Sequence, residues 1–159
     1  MKYSRIIVSV FLLIFLVSGC GQKKRPDGMP PLVTCSVLVQ QENTPLANAN
    51  VSLIPEDGSK WNAAGTTDVS GVAKLYTLSQ YEGVPEGKYN VVVSKTETIP
   101  GIAVPSGSSA KGTPDQHFKL VEPQFSNPTT TPLTLNIIKG TSGYEINAGK
   151  AVRIQEKQR

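Results

Sequence analysis

Val33–Pro55 reads VTCSVLVQQENTPLANANVSLIP, and its apolar period is two. Val33, Cys35, Val37 and Val39 alternate with Thr34, Ser36, Leu38 and Gln40, and only Leu38 blurs the polar side. Successive side chains of a strand point to opposite faces, so this spacing predicts a strand with one face buried. Asn43-Thr44-Pro45 supplies a turn. Ala49, Val51 and Leu53 then alternate with Asn50, Ser52 and Ile54 in a second strand, which Pro55 ends. A core-facing helix would space its apolar residues three and four apart.

The same punctuation runs on toward the C-terminus. Glu56-Asp57-Gly58 is turn chemistry, and Trp61–Gly65 is a short third strand. Asp68-Val69-Ser70-Gly71 is a tight-turn signature, because Asp caps a turn and Gly accepts positive φ. Val72–Leu78 reads as a fourth strand. Gly83, Pro85 and Gly87 mark another turn before Lys88–Lys95, KYNVVVSK, a fifth strand with Tyr89, Val91 and Val93 on one face. Residues 96–114 contain PGIAVPSGSSAKGTP, have no period and read as a long loop. Asp115–Val121 suits a short helix or a strand. Leu133–Lys139 is the sixth strand, Gly140–Gly143 a hairpin turn and Tyr144–Ala148 the seventh. Residues 149–159 form a polar tail. With 14 glycines, 12 prolines and no long amphipathic helix, the chain is predicted to be all-β, a seven-stranded antiparallel sandwich over residues 32–148.

The N-terminus has a different grammar. Lys2 and Arg5 precede Ile6–Val17, IIVSVFLLIFLV, and the small residues Ser18 and Gly19 follow. Basic start, apolar middle and small residues at a cut are the order of an export signal. A span of ~30 Å of hydrocarbon takes ~20 apolar residues, and this run is shorter. Residues 1–19 therefore read as a cleaved signal peptide. Residues 20–31, which include GQKKRPDGMPP, have no apolar period and read as a flexible basic tether.

Charge excludes one class of partner. The chain carries 16 basic and 12 acidic residues, but five of the basic ones precede Leu32. From Leu32 onward the signs balance, so the folded part lacks the concentrated basic face that nucleic-acid binding requires.

Val17-Ser18-Gly19-Cys20 resembles the lipobox of bacterial lipoproteins. The resemblance implies that the Cys20 thiol takes a diacylglycerol, that cleavage precedes it and that its new amino group is acylated. The protein would then sit in the cell envelope, held on a membrane through Cys20. Each buried lipid CH₂ contributes ~0.8 kcal/mol, so two or three acyl chains anchor durably. In lipoproteins of two-membrane bacteria, Asp after the Cys tends to retain the protein on the inner membrane. Residue 21 is Gly, which favours the outer membrane if the organism has both. The alternative is ordinary cleavage that leaves a free Cys20. Lys23, Lys24 and Arg25 lie where anionic headgroups would meet them, and they read equally well as a solvated tether.

A second resemblance covers residues 32–148. Pro45, Leu46 and Ala49–Leu53, then Thr67-Asp68-Val69-Ser70-Gly71-Val72-Ala73, then Gly83-Val84-Pro85-Glu86-Gly87-Lys88-Tyr89-Asn90-Val91, resemble the carboxypeptidase regulatory-like domains, which are transthyretin-like (prealbumin-like) sandwiches. Pro123–Pro128 with Thr131-Pro132-Leu133-Thr134 is similar to a run in small exported planctomycete proteins, with Phe125 where Tyr is common. Cys35 departs from the family, which often has Gly there. The resemblance implies a Greek-key sandwich of prealbumin-like or Ig-like form and no peptidase site. The fold also hosts a hydrolase of purine degradation that uses several His and Arg residues and a C-terminal Tyr-Arg-Gly-Ser. This chain has one His and ends Gln-Glu-Lys-Gln-Arg, so that activity does not carry over.

The residues themselves offer little chemistry. His117 is the only histidine and sits in a Pro/Gly-rich context, where a solvated side chain is the simpler reading. A zinc site needs three or four convergent ligands. No G-x-S-x-G nucleophile elbow is present, and Ser106-Gly107-Ser108-Ser109 is spacer composition. Asp68 and Glu56-Asp57 suit turn capping better than Ca²⁺, which takes six or more oxygens. With Cys20 acylated, Cys35 has no intramolecular partner and reads as a buried apolar residue, with an intermolecular disulfide as the sharper alternative. Trp61, Tyr76 and Tyr81 are the candidate aromatic ligand surface, set against a core or sheet-edge role. The sequence thus points to a non-enzymatic, lipid-anchored interaction or structural module without a cofactor. It would meet an unknown envelope protein or a glycan. A small-ligand or carbohydrate-binding module is the alternative, and an unrecognised hydrolase a more distant one.

Overall fold

A computed structural model describes residues 24–103 and 111–156. Their backbone forms fifteen short strands. In chain order these are β1 (Leu32–Val33), β2 (Ser36–Gln41), β3 (Thr44–Pro45), β4 (Asn50–Pro55), β5 (Ala63–Thr66), β6 (Val72–Lys74), β7 (Tyr76–Thr77) and β8 (Tyr81–Glu82). They continue with β9 (Val84–Pro85), β10 (Gly87–Ser94), β11 (Thr96–Ile99), β12 (Gln116–Lys119), β13 (Thr134–Ile137), β14 (Gly143–Asn147) and β15 (Ile154–Gln155). Pro123–Ser126 makes a single 3-10 turn. Among the described residues no helix is long and apolar enough to cross a membrane.

Two sheets make the body. One runs β13-β10-β4-β5-β7-β8. The other runs β14-β2-β3, with β6 also paired to β2. The alternation expected of Val33–Gln40 and Ala49–Ile54 is present: Val37, Val39, Val51 and Leu53 are fully buried while their neighbours face outward. Val91 and Val93 of β10 and Ile137 of β13 meet Val37 and Val39 of β2 and Ile146 of β14 in one hydrophobic core. Burying each such side chain contributes about 1.5–3 kcal/mol relative to exposure, and this term drives the two sheets together.

Three features depart from the sequence expectation. Val72–Leu78 is not one strand. Val72–Lys74 pairs with β2, the fully buried Leu75 crosses the core, and Tyr76–Thr77 pairs with β5 in the other sheet. Gly140–Gly143 does not close a hairpin. The chain leaves β13 in one sheet and enters β14 in the other, where β14 runs parallel to β2 with Tyr144 opposite Val37 and Ile146 opposite Val39. The sandwich is therefore not wholly antiparallel. The stretch expected as a loop at 96–114 begins with a strand: β11 pairs with β12, and β12 with β15.

That third sheet also holds the polar tail. Lys119 Nζ and Glu156 Oε1 are 2.8 Å apart, Arg153 Nε donates to Glu97 Oε2 at 3.1 Å, and the Arg153 guanidinium lies over the Phe118 ring. The buried Gln41 donates through Nε2 to the carbonyls of Leu120 and Lys150, which fastens the end of β2 to both segments.

The Asp68 turn forms as its residues require. Asp68 Oδ1 accepts from the Ser70 amide (2.8 Å), the Ser70 hydroxyl (2.6 Å) and the Val72 amide (3.1 Å). Gly71 has φ +78°, and a Cβ there would lie 2.9 Å from the Val39 carbonyl oxygen, so both conformation and space demand glycine. Thr67, just before it, is buried and anchors the turn to the β3–β4 link. Its Oγ1 accepts from the Ala49 amide at 2.8 Å and donates to the Leu46 carbonyl at 2.6 Å.

Candidate functional site

Cys20 lies outside the described residues. Residues 24–33 are held against the fold. The Tyr81 hydroxyl donates to the Lys24 carbonyl at 3.0 Å, and the Met29 amide donates to the Pro26 carbonyl at 3.2 Å in a turn that Gly28 completes with φ +79°. β1 then pairs antiparallel with β9, Leu32 opposite Pro85 and Val33 opposite Val84. Gly83, at φ +103°, makes room for this: a Cβ there would come within 2.9 Å of the Val33 carbonyl oxygen.

Beside this segment is a groove of about 650 Å³ lined by Pro30, Pro55, Asp57, Trp61, Pro85 and Tyr89, among others. Trp61 is only 8% exposed, with the Lys60 ammonium 4.8 Å from its ring centroid. A ring so covered, with a cation above it, is a wall of the groove and not an open stacking platform. Tyr89 is buried and its hydroxyl donates to the Pro85 carbonyl at 2.8 Å. Burial, and then the negative charge of Asp57, push the Tyr89 phenol up to about 12.

Tyr76 faces elsewhere. It stands at the end of a cross-strand row, Ser52–Ala64–Tyr76, on the outer face of β4, β5 and β7. With Asn50, Thr66, Asp68, Lys74 and Ser79 it lines a second groove of about 680 Å³. The ring is 37% exposed. Thr66 Oγ1 donates to Asn50 Oδ1 at 3.0 Å across the pair. The groove thus combines small residues at its floor, one accessible aromatic ring and several hydroxyl, amide and charged groups. The Ser70 hydroxyl, with the Val72 and Ser70 amides, holds the Asp68 carboxyl below its usual range, so it is anionic at neutral pH.

The structure thus does not bring the three candidate aromatics together. Trp61 and Tyr76 line different grooves and Tyr81 lines neither of these two. Tyr81 sits opposite Thr77, one position along from Tyr76, and adjacent residues of a strand face opposite sides. No feature of the sequence told the segment-holding role of Tyr81 from a ligand role, because its acceptor is a backbone carbonyl.

The remaining chemistry-bearing residues are dispersed. His117 Nδ1 lies 3.0 Å from the Thr98 hydroxyl on the exposed β11–β12 pair. Cys35 is buried in the core, and burial raises its thiol pKa. Asp57 Oδ1 accepts from the Ser59 amide at 2.9 Å, a turn cap in the Trp61 groove, while Asp68 belongs to the other groove. Among the described residues no group of three or more His, Cys, Asp or Glu is placed to hold a metal ion. Compared with protein-family models, curated protein sequences and solved structures, the chain matches none.

Proposed function

We propose that the chain is a lipid-anchored, non-catalytic interaction or structural module of the cell envelope, built on a prealbumin-like Greek-key sandwich of the carboxypeptidase regulatory-like kind. The observation that carries this reading is the run from Lys2 to Cys20, in which charge, a twelve-residue apolar stretch and Val17-Ser18-Gly19-Cys20 agree on lipid modification. The domain after it supports the reading. Its one histidine sits on an exposed strand pair beside a threonine hydroxyl, and its turn acids are engaged in capping. The capped Asp68 turn, the buried Tyr89 and the alternating burial along β2 and along β4 support the family resemblance. With Gly at position 21, the outer membrane is the favoured address where two membranes exist. Intact mass of the protein from fractionated envelopes tests this. The expected mass starts at Cys20 with added diacylglycerol and fatty acid. A protein retaining Met1, or beginning at Cys20 without lipid mass, overturns it.

A second reading, binding of a small polar ligand or glycan, is favoured by the accessible Tyr76 ring at the head of the Ser52–Ala64 floor. An aromatic ring stacks on the apolar face of a sugar while neighbouring amides and hydroxyls bond its rim. A glycan array with Tyr76→Ala beside the unaltered protein decides it. Binding lost in the variant supports the groove, and no binding by either rejects it.

A further inference from the structure

The anchor and the fold are joined by a short leash whose far end is held down. Lys24 is fixed by the Tyr81 hydroxyl, the turn at Pro26–Met29 follows, Pro30 lines the Trp61 groove, and β1 lies on β9 with Gly83 admitting its backbone. Four peptide steps separate Lys24 from Cys20, and covalent geometry limits them to about 14 Å. We infer that this docked segment fixes the orientation of the domain on the membrane. The β8–β9 end with the Trp61 groove meets the bilayer surface, and the Asp68 turn points away. The inference rests on lipidation of Cys20.

The sheet sets the distance between the ends. β10 leaves the Trp61 groove at Gly87 and reaches Ser94, seven residues on, at ~3.3 Å each or about 23 Å. β4 runs back beside it, with Asn50 opposite Ser94 and Pro55 opposite Tyr89. Asn50 and Asp68 line the Tyr76 groove, whereas Pro55 and Tyr89 line the Trp61 groove. β11 starts from that distal end as well, two residues after Ser94. An envelope partner would therefore find the Asp68 turn and the start of β11 on the side facing away from the lipid. Lys60 and Lys88 at the proximal end stand among Glu56, Asp57 and Glu86, so these side chains add no net attraction for anionic headgroups, whereas Lys23, Lys24 and Arg25 of the leash carry three positive charges against Asp27. On neutral lipid the leash alone orients the domain.

Trp61 is the only tryptophan, which makes the orientation measurable. Full-length lipidated protein is reconstituted into phosphatidylcholine vesicles carrying a dansyl-headgroup lipid, and energy transfer from tryptophan to dansyl is read. Strong transfer is expected from Trp61. At least twofold weaker transfer is expected when the tryptophan is relocated by Trp61→Phe with Val69→Trp, Val69 being 90% exposed at the distal turn. A twenty-residue Gly/Ser spacer inserted between Gln22 and Lys23 adds an r.m.s. reach of about 25 Å and should likewise lower transfer from Trp61 at least twofold. Adding phosphatidylglycerol should not weaken transfer from Trp61, because Lys23, Lys24 and Arg25 draw the same end toward anionic headgroups. Equal transfer from both tryptophan positions, or no effect of the spacer, in a protein that co-floats with vesicles overturns the orientation. A protein of unlipidated mass that fails to co-float instead overturns lipidation, so the two failures are separable.

Discussion

Thr67→Val is the substitution that tests the fold's least replaceable hydrogen bonds. Thr67 is 2% exposed, and its hydroxyl joins the Ala49 amide to the Leu46 carbonyl at 2.8 and 2.6 Å. Valine keeps the shape and removes the oxygen. Both partners stay buried, so the loss is larger than two ordinary bonds at about 1 kcal/mol each, because each orphaned group costs roughly 1–3 kcal/mol. We expect about 2–4 kcal/mol of destabilisation. For a domain of this size that is a fall in Tm of roughly 8–16 °C. Urea unfolding followed by Trp61 fluorescence gives the value, and an unchanged m would show that the change lies in stability and not in the compactness of either state. Thr67→Ser, which keeps the oxygen and loses one methyl group, should cost about 1 kcal/mol or less. If Thr67→Val falls within 0.5 kcal/mol of the unaltered protein, or Thr67→Ser matches it, the hydroxyl does not staple the turn to the β3–β4 link.

Three further outcomes follow from the cited geometry. Hydrogen bonds hold the Asp68 carboxyl below its ordinary 3.8, so its stabilisation is present above that pH and lost as pH falls through the folded value. Asp68→Asn should flatten the acid limb of the urea midpoint against pH, and an acid limb identical to that of the unaltered protein would remove Asp68 from the account. The Tyr89 phenol is raised from 10.0 to about 12, so its contribution is complete below pH 10 and is lost between there and about 12. Tyr89→Phe should cost about 1 kcal/mol at neutral pH through the lost bond to the Pro85 carbonyl, and should remove the highest-pH step from the phenolate absorbance titration. Cys35, buried and with its pKa raised, should react with a thiol reagent in the folded protein far more slowly than after unfolding, and should give no disulfide dimer on a non-reducing gel.

Much of the fold was legible because burial imposes a two-residue period wherever a strand lies between core and water. Val37, Val39, Val51, Leu53, Val91 and Val93 stood out for that reason, and all six are buried. The Asp68 turn was legible because its chemistry is local. Partner choice was not. Ile137 and Ile146 satisfy the same alternation whether β13 and β14 form a hairpin or lie in opposite sheets, since either arrangement buries both. The cross-over at Leu75 was hidden for the converse reason: Val72–Leu78 is β-prone throughout, and only the tertiary fold decides where such a run changes sheets. β11 escaped notice because all four of its residues are exposed, which leaves no apolar period to read. The candidate aromatics were picked by residue type, and type alone could not separate a covered Trp61, an open Tyr76 and a Tyr81 engaged with backbone.

The tether shows the limit of composition most directly. Gly21–Pro31 reads as a flexible spacer because it has no apolar period and three prolines, and that description is apt for a chain that finds no partner. What holds residues 24–33 is written elsewhere, in a hydroxyl on Tyr81 and in the missing Cβ of Gly83, while the atoms held are the carbonyl oxygens of Lys24 and Val33. Every residue carries such an oxygen, so the docked segment has no signature of its own. A glycine read from sequence as a turn residue is here also the floor on which β1 rests. Gly83→Ala therefore separates the two roles. It should lower transfer from Trp61 in the vesicle experiment, because the added methyl meets the Val33 carbonyl 2.9 Å away and lifts β1 from β9. A Gly83→Ala protein with full transfer and lowered stability would leave Gly83 a turn residue and nothing more.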